Sequence, residues 1–201
     1  MAVYIGALVY DLGGVLITDG EAPALNAIKS IGISEEEGRK LFRENDRSFF
    51  TGQITEREWW GKFIDYAGNE SAPEELARRF RENLKGYEKN LELARELKRS
   101  GKYRTAILTN NSEEWLEFQR NNFRLGECAD VIISSHEAGA MKPDNQIYEY
   151  AMRQLGVGNH PIFFDDKTEY TKAAAGSGMI GVHVASPEDF PGLVRKLGIS
   201  P

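Results

Sequence analysis

Cysteine is nearly absent: Cys128 is the one thiol in 201 residues, so no internal disulfide can form. That fits a reducing compartment. With no Cys or His partner close by in sequence, Cys128 is also a poor candidate nucleophile. Long apolar runs are missing, and none approaches the roughly 20 residues a membrane span needs. The N-terminal stretch MAVYIGALVYD has no basic residue ahead of its apolar run, which Asp11 cuts short. It reads as a first strand and not as a secretion signal. There is no basic block either: 25 Lys and Arg are interspersed with 31 Asp and Glu, for a net charge of −6. This argues against a nucleic-acid partner and mainly supports solubility. Repeats and low-complexity segments are absent. These gaps together predict a soluble, cytoplasmic protein with no membrane partner.

What is present suits one domain, or a core with a modest insertion, and at 41% apolar the chain can build a real core. Short apolar runs at 6–10, 105–108, 130–133, 161–164 and 180–184 end in polar or glycine clusters. Near-continuous runs of this length suit strands buried on both faces. Helical patterns lie between or beyond them at 91–99, 113–122, 145–155, 169–175 and 188–197. Strand and helix alternate, which predicts an α/β fold with a parallel sheet.

Residues 18–89 break that alternation. They show no convincing strand but carry three helix-start signals, Ser34-x-x-Glu37, Thr55-x-x-Glu58 and Ser71-x-x-Glu74. A similar start, Ser186-x-x-Asp189 with Pro187, precedes the last helix. Aromatics are dense here: Phe42, Phe49, Phe50, Trp59, Trp60, Phe63, Tyr66 and Phe80. They read as the core of a small helix bundle, with one or two free to face a cleft. The expected organisation is therefore a Rossmann-like core, 1–17 and 90–201, carrying an inserted helical-bundle cap at 18–89.

In an open α/β sheet, ligands bind beyond the carboxyl ends of the strands. Those ends carry Asp11, Thr109-Asn110-Asn111, Ser134-Ser135-His136 and Asp165-Asp166, and Lys142 follows in GAMKPDNQIY. Asp11, Asp165 and Asp166 would repel one another unless a cation sat among them. All-oxygen ligation of that kind suits Mg²⁺. Lys142, the Thr109 hydroxyl and backbone N–H groups of the Gly13-Gly14 turn could donate to an anion. A carboxylate nucleophile, a divalent cation, a lysine and a hydroxyl make a phosphoryl-transfer site. His136 is a weaker candidate proton carrier; His160 and His183 read as structural.

These motifs resemble those of the haloacid-dehalogenase-like (HAD) hydrolases, most of which are phosphatases. VYDLGGVL resembles the nucleophile motif, AILTNNS the second, GAMKPDNQIYEYA the lysine motif and IFFDDKTEYTKAA the acidic fourth. FFTGQITEREWW resembles a turn between cap helices in members whose cap follows the first strand. The resemblance covers essentially the whole chain. It implies that Asp11 attacks phosphorus to form an aspartyl-phosphate while its other oxygen binds Mg²⁺. The Gly13 carbonyl and Asp166 would be further ligands, with Asp165 as ligand or close by. Thr109 and Lys142 would hold the phosphoryl oxygens, Asn110 would lie near the substrate, and Gly14 would let the backbone approach it. The implied substrate is a small phosphomonoester such as a sugar phosphate, handled by a monomer or a homodimer.

Two positions depart from the family pattern. Gly13 stands where most of its phosphatases carry a second Asp as general acid, a function typically worth 10²–10⁴-fold. Tyr170 stands where relatives often have Asn or Asp. Two rival expectations follow: a 2-haloacid dehalogenase, which needs no leaving-group proton, and a catalytically impaired binding protein. The residues at 17–23 and 49–53 are the expected specificity loops.

Overall fold

The computed structural model describes residues 6–156 and 160–201, so the first five residues of the stretch read as a leading strand lie outside it. Five strands form one sheet: β1 (Ala7–Tyr10), β2 (Arg104–Thr109), β3 (Val131–Ser134), β4 (Ile162–Asp165) and β5 (Ile180–His183). Their order is β3-β2-β1-β4-β5, and every pairing is parallel. β1 is central and buried throughout. Its side chains alternate between two apolar layers: Leu8 and Tyr10 join Ile107, Ile162 and Phe164, while Ala7 and Val9 join Ala106, Leu108 and Phe163. Burial on both faces explains why the inner strands read as unbroken apolar runs.

The helices are α1 (Glu21–Lys29), α2 (Glu35–Phe50), α3 (Glu56–Ala67), α4 (Pro73–Glu82), α5 (Glu88–Ser100), α6 (Glu113–Asn122), α7 (Ser135–Ala138), α8 (Asn145–Leu155), α9 (Thr168–Gly176) and α10 (Phe190–Lys196). The Ser34 and Thr55 capping boxes form as expected, with Glu37 N–H and Glu58 N–H each donating to the cap hydroxyl at 3.3 Å. The other two start signals do not. Pro73 takes the first position of α4, so the cap falls on Ala72, and the Ser71 amide donates to Asn69 Oδ1 at 2.8 Å instead. A proline there needs no partner for an N–H, and its fixed φ sets the helix register. Ser186 opens a 3₁₀ turn, Pro187–Asp189, and its hydroxyl pairs with the Glu188 carboxylate, so α10 starts only at Phe190.

Between β1 and α5 the chain leaves the sheet and returns beside its own exit. The Thr18 amide donates to the Lys85 carbonyl at 2.8 Å, and the Tyr87 amide to Leu16 at 2.9 Å. The excursion packs α1 on α2 and α4, and α3 on α2 and α4. Phe49, Trp59, Trp60, Phe63 and Phe80 fill its interior, whereas Tyr66 is 54% exposed. Trp115 of α6 joins this cluster from the sheet side. It stacks on Phe80, with centroids 3.8 Å apart, and meets Trp59 edge-on at 5.5 Å.

A buried carboxylate ties that contact down. Glu56 accepts hydrogen bonds from Trp115 Nε1 at 2.9 Å, Trp60 Nε1 at 3.2 Å and the Arg81 guanidinium at 2.6 Å. A buried charge is tolerable only with its lone pairs so occupied. Further along, Arg47 pairs with Asp144 at 2.7 Å, and the Ser135 hydroxyl donates to the Phe50 carbonyl. The helical excursion is thus fastened over the carboxyl edge of the sheet.

Candidate active site

The parallel sheet brings the ends of β1, β2 and β4 to one edge. Asp11, Thr109, Lys142 and Asp165 are all buried there, although lysine and aspartate are seldom buried without partners. Lys142 Nζ lies 2.8 Å from Asp11 Oδ1 and 2.7 Å from Asp165 Oδ2, and donates to the Leu108 carbonyl at 3.2 Å. All three ammonium protons therefore have acceptors. Burial opposes the Lys142 charge, but Asp11 and Asp165 outweigh it and hold the ammonium above the ordinary lysine range. Asp11 Oδ1 also accepts the Leu12 amide at 2.7 Å, which leaves Oδ2 for chemistry. Burial pushes the Asp11 carboxyl up; Lys142 opposes this, and Asp165 and Asp166 add to it.

Asp11, Asp165 and Asp166 each offer a carboxylate oxygen within 4.8 Å of the others. The two Asp residues of β4 are not equivalent. Both Asp165 oxygens are taken, one by Lys142 and one by the Lys167 amide at 2.8 Å. Asp166 Oδ1 is buried with no partner among the described residues. Burial, then Asp165, pushes the Asp166 carboxyl up to about 6. Three carboxylates and one ammonium leave two uncompensated negative charges, which a divalent cation would match.

Gly14 has a different part from the one expected. Its amide donates to the Ile17 carbonyl at 2.8 Å and so is not free for an anion. Its φ is +77°, and a Cβ there would fall 2.6 Å from Asp166 Oδ2. Gly14 thus makes room for the Asp166 carboxylate. Asn110 also differs from expectation. Its side chain accepts from the Lys142 amide at 2.7 Å and donates to the Lys142 carbonyl at 2.9 Å. It lines the site but spends its amide on fixing the backbone that carries the lysine. His136 lies outside the cavity, its Nδ1 2.8 Å from Ser134 Oγ. It is no proton carrier for this site.

Asp11, Thr109 and Lys142 of this cluster form the floor of a cavity of about 280 Å³, whose lining does not include Asp165 or Asp166. Residues 17–21 make one wall, as the sequence suggests, whereas only Phe50 of the second expected loop takes part. α2 adds Phe42, Arg43 and Asp46, and α6 adds Trp115. Neither Trp115 nor Lys167 stands out in the sequence as a cavity residue. The Lys167 ammonium lies 3.7 Å from Asp19 and 5.4 Å from the Tyr170 ring centre. Tyr170 also sits 5.1 Å from Lys142 Nζ, so its ring face is shared by two cations.

Known proteins with related sequences and folds carry several activities. The sesquiterpene phosphatase astK of Aspergillus oryzae is 28% identical over 189 residues, 92% of each chain. The (S)-2-haloacid dehalogenase 4A of Burkholderia cepacia is 30% identical over 93 residues, 46% of this chain and 40% of its own. A HAD family enzyme of Bacteroides thetaiotaomicron, solved in complex with magnesium and inorganic phosphate, superposes with a TM-score of 0.79. It is 22% identical, and the match covers 94% of this chain and 98% of that one. The family model for haloacid dehalogenase-like hydrolases matches residues 5–178. With its parallel sheet, its strand-end acids and a match over most of its length, the chain belongs to the haloacid dehalogenase-like hydrolases.

Proposed function

We propose that the chain is a Mg²⁺-dependent phosphatase that hydrolyses a small phosphomonoester through an aspartyl-phosphate on Asp11. The observation that carries this reading is the charge count: three carboxylates held within 4.8 Å of one another against a single lysine. Asp11 Oδ2 attacks phosphorus, Lys142 steadies the nucleophile's charge, and Thr109 faces the cavity where a phosphoryl oxygen would lie. Asp11, Asp166 and the Gly13 carbonyl would hold the cation, with Asp165 positioning Lys142. When bound, Mg²⁺ supplies electrostatic stabilisation of phosphoryl charge. The helices of residues 18–89 serve as the cap. The cavity volume admits only a small substrate, and Phe42, Phe50 and Trp115 suit an apolar or ring-bearing leaving group.

A haloacid dehalogenase would bring its substrate's carboxylate beside three others that share a single touching ammonium, Lys142, which the charge count disfavours. The test is phosphate release from a panel of sugar, aryl and terpenyl monophosphates, with Mg²⁺ and with EDTA. Turnover that EDTA abolishes is expected. Chloride release from 2-chloropropionate unaffected by EDTA would replace this reading with dehalogenation. Inactivity of the folded protein on every substrate would leave a binding role.

The cation also has a thermal signature. A carboxyl raised to about 6 in the fold, as Asp166 is, destabilises the metal-free protein above that pH, and the cost is relieved as pH falls toward the ordinary carboxylate range. Mg²⁺ must compete with that proton. At pH 7.5, Mg²⁺ at 100 times its Kd should stabilise by about 2.7 kcal/mol, raising Tm by about 5–10 °C for a chain of this size. At pH 5 the rise should shrink to about half. Equal shifts at the two pH values, read by scanning fluorimetry, would remove Asp166 from the cation site.

A further inference from the structure

The proposed reaction lacks a proton donor. Expelling an alkoxide from phosphorus without one is slow, and in that reaction Asp11, Asp166, Thr109 and Lys142 are already assigned to attack, to the cation and to the phosphoryl oxygens. Outside the floor cluster, the carboxyl groups lining the cavity among the described residues are Asp19, Glu21 and Asp46. Glu21 is bound to the Arg39 guanidinium at 2.6 Å. Asp46 hangs from α2, on the cap side of the cavity. Asp19 is different, because it lies against Gly13, two residues from the nucleophile. A Cβ built on Gly13 would come 3.3 Å from Asp19 Cα and 3.6 Å from Asp19 Oδ1.

We propose that Asp19 is the catalytic general acid and base of this site, supplying from the loop after β1 the carboxyl that Gly13 does not carry. The inference rests on the phosphatase reading above. The loop crowds the space a side chain at position 13 would take, so the Asp19 carboxyl lies where such a side chain would point. The backbone beside Asp19 is held in place. Thr18 exchanges hydrogen bonds with Lys85 through its amide, at 2.8 Å, and its hydroxyl, at 3.1 and 3.2 Å. The carboxyl group is held as well. Oδ1 accepts the Glu21 amide at 3.2 Å, and Oδ2 faces the Lys167 ammonium at 3.7 Å, a separation that orients the group without closing it off. Its side chain lines the cavity and remains 41% exposed.

The proton balance closes. In the first half-reaction Asp11 Oδ2 forms a bond to phosphorus, and the phosphorus–oxygen bond to the leaving group breaks. The leaving oxygen keeps the electron pair and takes the proton of Asp19, giving a free alcohol and the aspartyl-phosphate. In the second, water gives a proton to the Asp19 carboxylate as its oxygen attacks phosphorus. The bond to Asp11 breaks, inorganic phosphate leaves, and Asp19 is protonated again.

The test uses leaving groups that differ in their need for a proton. An alkyl ester needs one; p-nitrophenolate leaves readily without. We compare kcat/KM, which reports the first half-reaction alone. For Asp19→Asn it should fall by about 10²–10³-fold with the best alkyl phosphate of the panel, and by less than about threefold with p-nitrophenyl phosphate. Asparagine keeps the acceptor for the Glu21 amide, so Tm should stay within about 2 °C of wild type. Asp19→Glu should recover part of the alkyl-ester activity. Asp46→Asn should show no leaving-group discrimination. Equal losses on both esters, no loss on either, or discrimination by Asp46→Asn in place of Asp19→Asn would overturn the assignment while native turnover kept the phosphatase reading intact. Absence of native turnover on every ester would overturn both.

Discussion

Asp11→Asn is expected to lower phosphate release by at least 10⁴-fold while leaving the fold as stable as before or more so. The activity loss follows from the nucleophile: an amide oxygen does not form the acyl phosphate, and about 5.4 kcal/mol of barrier corresponds to that factor at 1.36 kcal/mol per tenfold. The stability outcome has the opposite sign from most buried polar substitutions. Asp11 sits in a cluster with two negative charges in excess, and burial and its acidic neighbours push its carboxyl up. Removing one of the three carboxylates relieves repulsion. The asparagine oxygen can still accept the Leu12 amide and Lys142 Nζ, as Asp11 Oδ1 does at 2.7 and 2.8 Å. Phosphate release and a thermal melt without Mg²⁺ read the two effects separately. A variant that loses activity and melts well below wild type would show that Asp11 holds the fold together. Retained turnover would show that another group attacks phosphorus.

The main chemistry of the floor was legible because it depends on backbone topology alone. Parallel strands put all their carboxyl ends on one edge, so Asp11, Thr109 and Asp165-Asp166 converge once the strands are recognised by their apolar runs. Lys142 joins them from the loop between α7 and α8. The start of α3 at Thr55 was equally readable, since its capping box is contained within four residues. What sequence could not show is which polar groups are already spent. Asn110 looks free in sequence, yet its amide exchanges hydrogen bonds with the backbone of Lys142, 32 residues on. The Gly14 amide looks available, but a tight turn gives it to Ile17. Trp115 belongs by position to the core and by contact to the aromatic cluster of the excursion. Only a tertiary crossing brings a tryptophan of α6 against Phe80. Asp19 is the same kind of case: it lies six positions after Gly13, and the turn between them is what brings its carboxyl alongside.

The excursion and the floor are linked by these hidden contacts. Glu56 binds Trp115 and Arg81, and Trp115 both lines the cavity and lies in the first turn of the helix that follows the Thr109-Asn110-Asn111 stretch. At the other end of the cavity, Arg47 grips Asp144, two residues after Lys142. The walls that would choose a leaving group are therefore anchored on the segments that carry Thr109 and Lys142. An interior packed this way transmits displacement poorly unless whole elements move, so a substrate that does not fit the walls is also misplaced relative to Asp11. Specificity and positioning share one set of contacts.

Lys142→Met should have the second largest effect, and on stability the largest. The methionine matches the lysine stem in bulk but leaves Asp11, Asp165 and Asp166 with no compensating charge and the Leu108 carbonyl without its donor. Breaking a buried pair by removing one partner costs about 3–5 kcal/mol, about 10 °C in Tm for a chain of this size. Acid should soften the loss. Carboxyls already pushed up by burial are pushed further once the ammonium is gone, and each one that protonates removes part of the repulsion. The gap between variant and wild type should therefore narrow from pH 7.5 to pH 5. Mg²⁺ should narrow it too, because two positive charges enter a cluster whose three carboxylates no longer touch any ammonium. The expected pattern is thus a destabilised variant that acid and Mg²⁺ each partly restore, with turnover remaining low because the nucleophile has lost its neighbouring cation. A melt unchanged by the substitution, or a deficit independent of both pH and Mg²⁺, would mean that the lysine stem's packing, and not its charge, is what the floor requires.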